Sequence, residues 1–395
     1  MKQLKYIQRF LNKIDTKQIL LLFLVWRVWT FVFALLGIIL VPLYSRDFFG
    51  GGLDHYLENP VFWSWANFDG EHYISLVQHG YQKLTHSFFP FYPLVVRIAS
   101  TESISNITAV GVLISSVSLF VGICLFWRLV CVDFSPKVAL YSLVSLLVFP
   151  TSFFFGAFYT ESLFFLLVVG SFFAARKSNW FLSGILGALA SSTRIIGIFL
   201  LPALIVEWLL QGRDESLKKS LGKRILQFLC IFLVPLGLGI YMFYLYRTTG
   251  NWLSFYTDLS PFGEQRGGGT IVFLPQVLWR YVRMIFTVDK TSLFYLTLLM
   301  EFLTGIGVLF LGVWGWMKNV RLSYLVFMGL GYILPTLTGS FSSLPRYVLV
   351  LFPLFIIMGM FLSKQRMFVR MAILSLLTVL LIIETMLFVR GYWVG

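Results

Sequence analysis

Asp69, Glu71 and His72 fall within one helical turn of each other in the stretch Trp65-Ala-Asn-Phe-Asp-Gly-Glu-His-Tyr73. The four histidines of the chain (His55, His72, His79 and His86) all belong to the same polar region. A carboxylate beside an imidazole can take a proton from a hydroxyl as a general base, and such a set can also bind a divalent cation. Asp69 precedes Gly70 where the pattern predicts a short helix, Glu71 to His79, so a plain N-cap is one reading of it. The functional reading makes Asp69 the base, with Glu71, His72 and Tyr73 orienting it or binding an acceptor. Asp47 and Asp54, in a glycine-rich segment, are weaker alternatives.

The arginines form a second set. Arg27 stands inside an apolar run, Arg194 ends Ser191-Ser-Thr-Arg, and Arg346 follows Ser342-Ser-Leu-Pro. Arg97 comes shortly after the turn bracketed by Pro90 and Pro93. A guanidinium within a membrane helix is costly, so it pairs with an anion or lines a polar cavity. One reading pairs these arginines with Glu161, Glu301 or Asp69. The other makes Arg27, Arg97, Arg194 and Arg346 contacts for a phosphate, whose oxygens suit a planar guanidinium. Glu161, in Tyr159-Thr-Glu-Ser162, is an arginine partner or a sugar-binding group. The aromatics around the first set (Trp63, Trp65, Phe68, Tyr81, Phe88, Phe89, Phe91, Tyr92) read as an interfacial belt. On helices lying in the membrane surface they would also suit a lipid with a polar head.

These residues must be held by membrane helices. The chain is 58% hydrophobic and only 12% charged, about half the charge of a soluble domain, and its apolar runs recur at spanning length. The first run, Ile19 to Leu43, is too long for a signal-peptide core and reads as a retained helix. A net charge of +14 is spread in short basic clusters between apolar runs, which is the positive-inside pattern and argues against a nucleic-acid partner. Cys124, Cys131 and Cys230 lack metal-ligand spacing. With the N-terminus cytoplasmic, the charges thread about eleven crossings as one integral membrane domain, 1–395. The apolar stretch 180–210 crosses twice, turning near Arg194, because both its flanks are basic. Two long loops then face outward: residues 45–104, with short surface-lying helices, and residues 248–290. The second holds Trp252, Tyr256, Asp258, Glu264, Arg266 and Gly267-Gly-Gly269, which read as a mobile lid. This threading puts Asp69, Arg194 and Arg346 on one membrane face.

Four segments together resemble one family. Phe68-Asp-Gly-Glu-His-Tyr-Ile-Ser-Leu-Val-Gln-His-Gly-Tyr81 with Phe88-Phe-Pro-Phe-Tyr-Pro-Leu94 is similar to the first-loop signature of PIG-V-like mannosyltransferases. Phe149-Pro-Thr-Ser-Phe through Phe164, Gly184 through Gly197, and Leu344-Pro-Arg-Tyr-Val-Leu-Val-Leu-Phe-Pro353 follow in order. One position departs: the aspartate follows Asn-Phe where the family typically has a tryptophan before it. The aspartate itself is kept, and its neighbour stays aromatic. The resemblance implies a GT-C-type all-α polytopic fold and a sugar donor linked to polyprenyl or dolichyl phosphate, used on the outer or lumenal face. Eukaryotic members add the second mannose of glycosylphosphatidylinositol anchors, whereas the compact loops here resemble prokaryotic relatives, whose acceptors need not be anchor glycolipids. The sequence expectation is therefore an inverting glycosyltransferase, a mannosyltransferase, acting on a glycolipid or glycan acceptor among membrane lipids. It would sit in the plasma membrane of a prokaryote or the endoplasmic reticulum of a eukaryote. Arginines alone can neutralise a monophosphate leaving group, so no cofactor is required, although Asp69, Glu71 and His72 could take a divalent cation. The competing classes are a transporter or flippase of a lipid-linked or small polar solute, and a non-catalytic lipid-binding subunit.

Overall fold

The structure is a computed structural model that describes residues 16–44, 49–82, 85–212, 220–257 and 272–394. Backbone in hydrocarbon has no water to bond, so the apolar runs must satisfy their own amides as helices. Among the described residues there are helices and turns and no strand. α1 (Thr16–Leu40) leads into a loop that carries four short helices, α2 (Leu53–Glu58), α3 (Pro60–Trp63), α4 (Asp69–His79) and α5 (Phe91–Ala99). Then come α6 (Ile104–Asp133), α7 (Pro136–Leu147), α8 (Glu161–Arg176), α9 (Trp180–Ser191), α10 (Leu200–Gly212), α11 (Leu221–Ile231) and α12 (Val234–Thr249). The second loop holds α13 (Ser254–Thr257) and α14 (Leu274–Thr287), and α15 (Leu293–Met317), α16 (Leu322–Thr336), α17 (Leu344–Tyr347), α18 (Phe352–Lys364) and α19 (Met367–Phe388) complete the chain.

A helix stands wherever the charge threading predicts a crossing, and the protein is an integral, multi-pass membrane protein. Length and composition qualify six described spans: α1, α6, Ile195–Gly212, Leu221–Thr249, α15 and α19. Leu344–Val350 and Phe352–Lys364, bent by 85° at their junction, make a seventh if counted as one broken span. The expected count of about eleven also takes in α7, α9 and α16, which are apolar but shorter, and the 16-residue α8. A helix of 12 residues such as α7 covers about 18 Å, less than a hydrocarbon core of about 30 Å.

Two polar clusters mark the two ends of the bundle. Glu161 opens the 16-residue α8 and Arg176 closes it, about 22 Å apart along the axis. At the Arg176 end, its guanidinium grips both oxygens of Asp133 at 2.5 and 2.7 Å. Beside it Arg321 grips Glu207 at 2.5 and 2.8 Å, with Ser323 donating to the same carboxylate. Arg176 Nε lies 3.5 Å from Glu207, so the two ends of the 180–210 stretch lie together at this end of the bundle. The stretch therefore runs along α9, turns at Ser192–Arg194 and doubles back along α10. Close packing needs small residues: a Cβ at Gly359 of α18 would lie 2.7 Å from the Val138 carbonyl of α7.

The part of the second loop that the structure describes includes a longer helix. Leu274, Val277, Leu278, Tyr281 and Ile285 repeat at helical spacing, and α14 buries Val277 and Tyr281 while Trp279 and Phe286 stay exposed. This is the pattern of a helix lying in a membrane surface. Asp258, Glu264, Arg266 and Gly267–Gly269 lie outside the described residues, as does Asp47.

Candidate functional site

Asp69 is the first residue of α4, and the residue before it is bent into an uncommon conformation. Phe68 has φ 54° and ψ −115°, a region that non-glycine residues occupy at a cost of about 1–3 kcal/mol and that surrounding structure must enforce. The enforcement is visible. The Phe68 ring packs on Phe388 and, edge-on, on Trp393 at 5.8 and 5.7 Å. The Asn67 side-chain amide donates to the Phe388 carbonyl at 3.1 Å, and the Tyr159 hydroxyl donates to the Asn67 carbonyl at 2.7 Å.

Arg346 is set in the same manner. Ser343 at φ 62° opens α17, its N–H donates to Glu301 at 3.0 Å, and the Thr151 hydroxyl donates to the Pro345 carbonyl at 2.8 Å. Tyr281 of α14 braces this turn: its hydroxyl donates to Glu301 at 2.5 Å and accepts from the Phe341 N–H at 3.1 Å. Glu301 therefore anchors this turn through the Ser343 N–H and the Tyr281 hydroxyl.

The two turns bring four charges into a chain. Arg346 Nη2 lies 2.7 Å from Asp69 Oδ2, and Arg346 Nε lies 3.1 Å from Glu161 Oε1. Arg194 Nη1 donates to the same Glu161 oxygen at 2.6 Å and to the Thr160 hydroxyl at 3.0 Å. Phe154, Tyr159 and Tyr347 surround the Arg346 guanidinium at 5.3–5.6 Å, and Tyr347 also faces Arg194 at 5.5 Å. Glu161 is fully buried, while Asp69 is 23% exposed, so the chain of charges opens to its surroundings at Asp69. Two carboxylates and two guanidiniums balance, so an arriving anion must compete with a carboxylate for an arginine.

Unsatisfied acceptors gather here. Glu161 Oε2 and Asn67 Oδ1 are buried and accept no hydrogen bond from the described residues, which is rare in folded proteins. Tyr73 is buried against Phe88, Tyr92 and Phe158. Burial, and then the carboxylates of Asp69 and Glu161, push its phenol above the usual tyrosine range. Tyr159 is raised in the same direction, by burial first and then by Asp69. Both phenols therefore remain protonated donors at neutral pH.

The other residues singled out from sequence fall at different distances from this cluster. Glu71 and His72 lie partly buried on the first turn of α4, the His72 ring 5.1 Å from Phe88. Arg27 does not join the chain of charges; its guanidinium sits 4.6 Å over the Trp65 ring. Arg97 is exposed on α5, and Asp54 is exposed on α2. Among the described residues no three His, Cys, Asp or Glu side chains converge as metal ligands, and Asp69, Glu71 and His72 do not do so. Sequence reasoning missed Asn67, Phe68, Tyr347 and Phe388 as parts of the site. Tyr347 carried a signal, being adjacent to Arg346, whereas the bend at Phe68 has no signature in residue type.

No curated protein matches the chain significantly in sequence. Among solved structures, the Archaeoglobus fulgidus oligosaccharyltransferase, in complex with zinc and sulfate, aligns over 93% of this chain with 12% identity and a TM-score of 0.43. The alignment takes in 53% of that protein, so this chain spans about half its length. Residues 14–337 match the family model described as Mannosyltransferase (PIG-V), which takes in Asp69, Glu161 and Arg194 and ends just before the turn that carries Arg346. The chain therefore belongs to the PIG-V mannosyltransferase family.

Proposed function

We propose that this protein is an inverting mannosyltransferase that moves a sugar from a polyprenyl- or dolichyl-phosphate donor to a hydroxyl of a glycolipid or glycan on the outer membrane face. The observation that carries the reading is the 2.7 Å contact between Asp69 and Arg346, a candidate base joined to a candidate phosphate cation. Asp69 takes the proton of the acceptor hydroxyl. The hydroxyl oxygen forms a bond to the anomeric carbon as the bond from that carbon to the phosphate oxygen breaks on the opposite side. The electron pair departs with the lipid phosphate, and the configuration inverts. Arg346 and Arg194 stabilise the phosphate as its charge grows, and cations fixed in advance in a site shielded from water are effective in this role. To do so, Arg346 turns from Asp69 toward the phosphate, which frees the carboxylate for the acceptor. Glu71, His72 and Tyr73 line the acceptor side, and Glu161 holds the two arginines together.

Asp69→Asn is expected to fold and insert normally and to abolish transfer from a radiolabelled polyprenyl-phosphate mannose. Near-normal turnover by this variant would remove Asp69 as the base. Two arginines suffice for a monophosphate, so chelation of divalent cations is expected to leave turnover unchanged; a loss restored by added magnesium or manganese would show a metal-assisted reaction.

A further inference from the structure

Arg27 differs from the other arginines packed inside the bundle. Arg194 and Arg346, and at the far end Arg176 and Arg321, all reach carboxylates. Among the described residues no carboxylate lies within ion-pair distance of Arg27, and its Nη1 is buried without a hydrogen-bond partner. What holds it is the Trp65 face at 4.6 Å and the space left by Gly156, where any side chain would collide with Nη1. A cation over an indole recovers only part of what a guanidinium loses on leaving water. The site is built for a cation, and the described residues supply no carboxylate to pair with it.

The surroundings indicate what that anion is. Leu24, Val25, Val28 and Trp29, on either side of Arg27 in α1, are exposed apolar residues on a membrane-spanning helix. An anion reaching Arg27 past them carries an apolar body, and a planar guanidinium favours phosphate oxygens. The turn Ser152–Gly156 separates Arg27 from the catalytic charges: Gly156 touches Arg27, while Phe154 lies 5.4 Å from Arg346. The neutral chain Asp69–Arg346–Glu161–Arg194 has no unpaired cation with which to attract an anion, and Arg27 does.

We infer that Arg27, with Trp65 and Gly156, is a receiving site for the phosphate of a lipid phosphate monoester arriving through the bilayer, distinct from the site of transfer. This rests on the lipid-phosphate donor proposed above. From the receiving site the phosphate passes around the Ser152–Gly156 turn to Arg346.

The test measures binding to the purified full chain in phosphatidylcholine nanodiscs, with undecaprenyl monophosphate, phosphatidic acid and inorganic phosphate as probes. Loss of one charge-assisted contact is worth about a ten- to hundredfold change in affinity. Arg27→Gln is expected to weaken undecaprenyl monophosphate binding by that factor, and Arg27→Lys by less. Gly156→Ala, which keeps the charge and displaces the guanidinium, is expected to weaken it as well. Unchanged binding in both Arg27→Gln and Gly156→Ala would overturn the inference. So would phosphatidic acid competing as well as undecaprenyl monophosphate, because Arg27 would then hold a bilayer phospholipid. Inorganic phosphate competing equally would also overturn it, since the lipid body would play no part. Transfer by Asp69→Asn separates the two proposals: an inactive Asp69→Asn with normal binding by Arg27→Gln removes the receiving site alone, whereas an active Asp69→Asn removes the catalytic reading.

Discussion

Glu161 has no exposed surface, yet one of its oxygens serves both Arg194 and Arg346 while the other accepts nothing. A buried carboxylate between two guanidiniums is justified electrostatically only while all three persist, and removing one member of a buried set costs about 3–5 kcal/mol. Glu161→Gln leaves Asp69 as the sole carboxylate of the cluster, so Arg346 is held more tightly against the base. The expected outcome is a lower melting temperature together with a fall in kcat that exceeds any change in donor KM. A variant that loses stability but keeps its kcat would make Glu161 a purely structural counter-ion. At this scale the sequence was informative about residue types but silent about partners. Arg194 and Arg346 were legible as buried cations that need an anion, and both ion pairing and phosphate binding remained open for them. The structure shows that the resting pairing exists, and the phosphate reading now requires an exchange of partners that residue spacing could not reveal.

Among the elements, each member of the Asp69–Arg346 pair is launched from a non-glycine residue at positive φ, Phe68 at 54° and Ser343 at 62°. Neither bend is local in origin. The first is enforced by Phe388 and Trp393, more than three hundred positions later in the chain, and the second by Glu301 and Tyr281. Replacing Phe68 by glycine relieves the backbone but removes the packing of a half-buried ring, a loss below the roughly 1.5–3 kcal/mol of a fully buried aromatic. Phe68→Gly is therefore expected to lower kcat with donor KM little changed, because Asp69 loses its aim while the phosphate contacts stay. Phe68→Tyr is expected to retain most of the activity; if it fails as completely as glycine, packing of the ring is not what positions Asp69. This dependence on distant contacts explains what could be read in advance. Helix positions and the turn at Arg194 follow from local hydropathy and charge, so they were legible. The bends were not, and α14 was hidden because Arg280 and Arg283 interrupt its apolar face enough to resemble a loop. The crossings assigned to α7, α8, α9 and α16 are the ones that helix length alone does not qualify, each being shorter than 18 residues.

Across the whole molecule, α8 links two polar clusters that do different things. The Glu161 end is open at Asp69 and carries unsatisfied acceptors. At the Arg176 end, Glu207 is fully buried and satisfied by Arg321, Gln211 and Ser323. That end joins α6, α8, α10 and α16, so its task is to fix how these helices stand relative to one another. Arg321 is 24% exposed, and water screens part of its attraction, so Arg321→Ala is expected to cost about 2 kcal/mol, below the range for a fully buried pair. The cost should appear as a fall of a few degrees in melting temperature, measured on the purified protein in detergent or nanodiscs. Donor KM and kcat at a temperature well below the transition should stay close to the wild type, because about 22 Å of helix separates the clusters. A rise in donor KM at full folding would mean that α8 transmits its tilt from one end to the other. Glu161 would then move with Arg176, and the position of the arginines at the site would depend on the opposite membrane face.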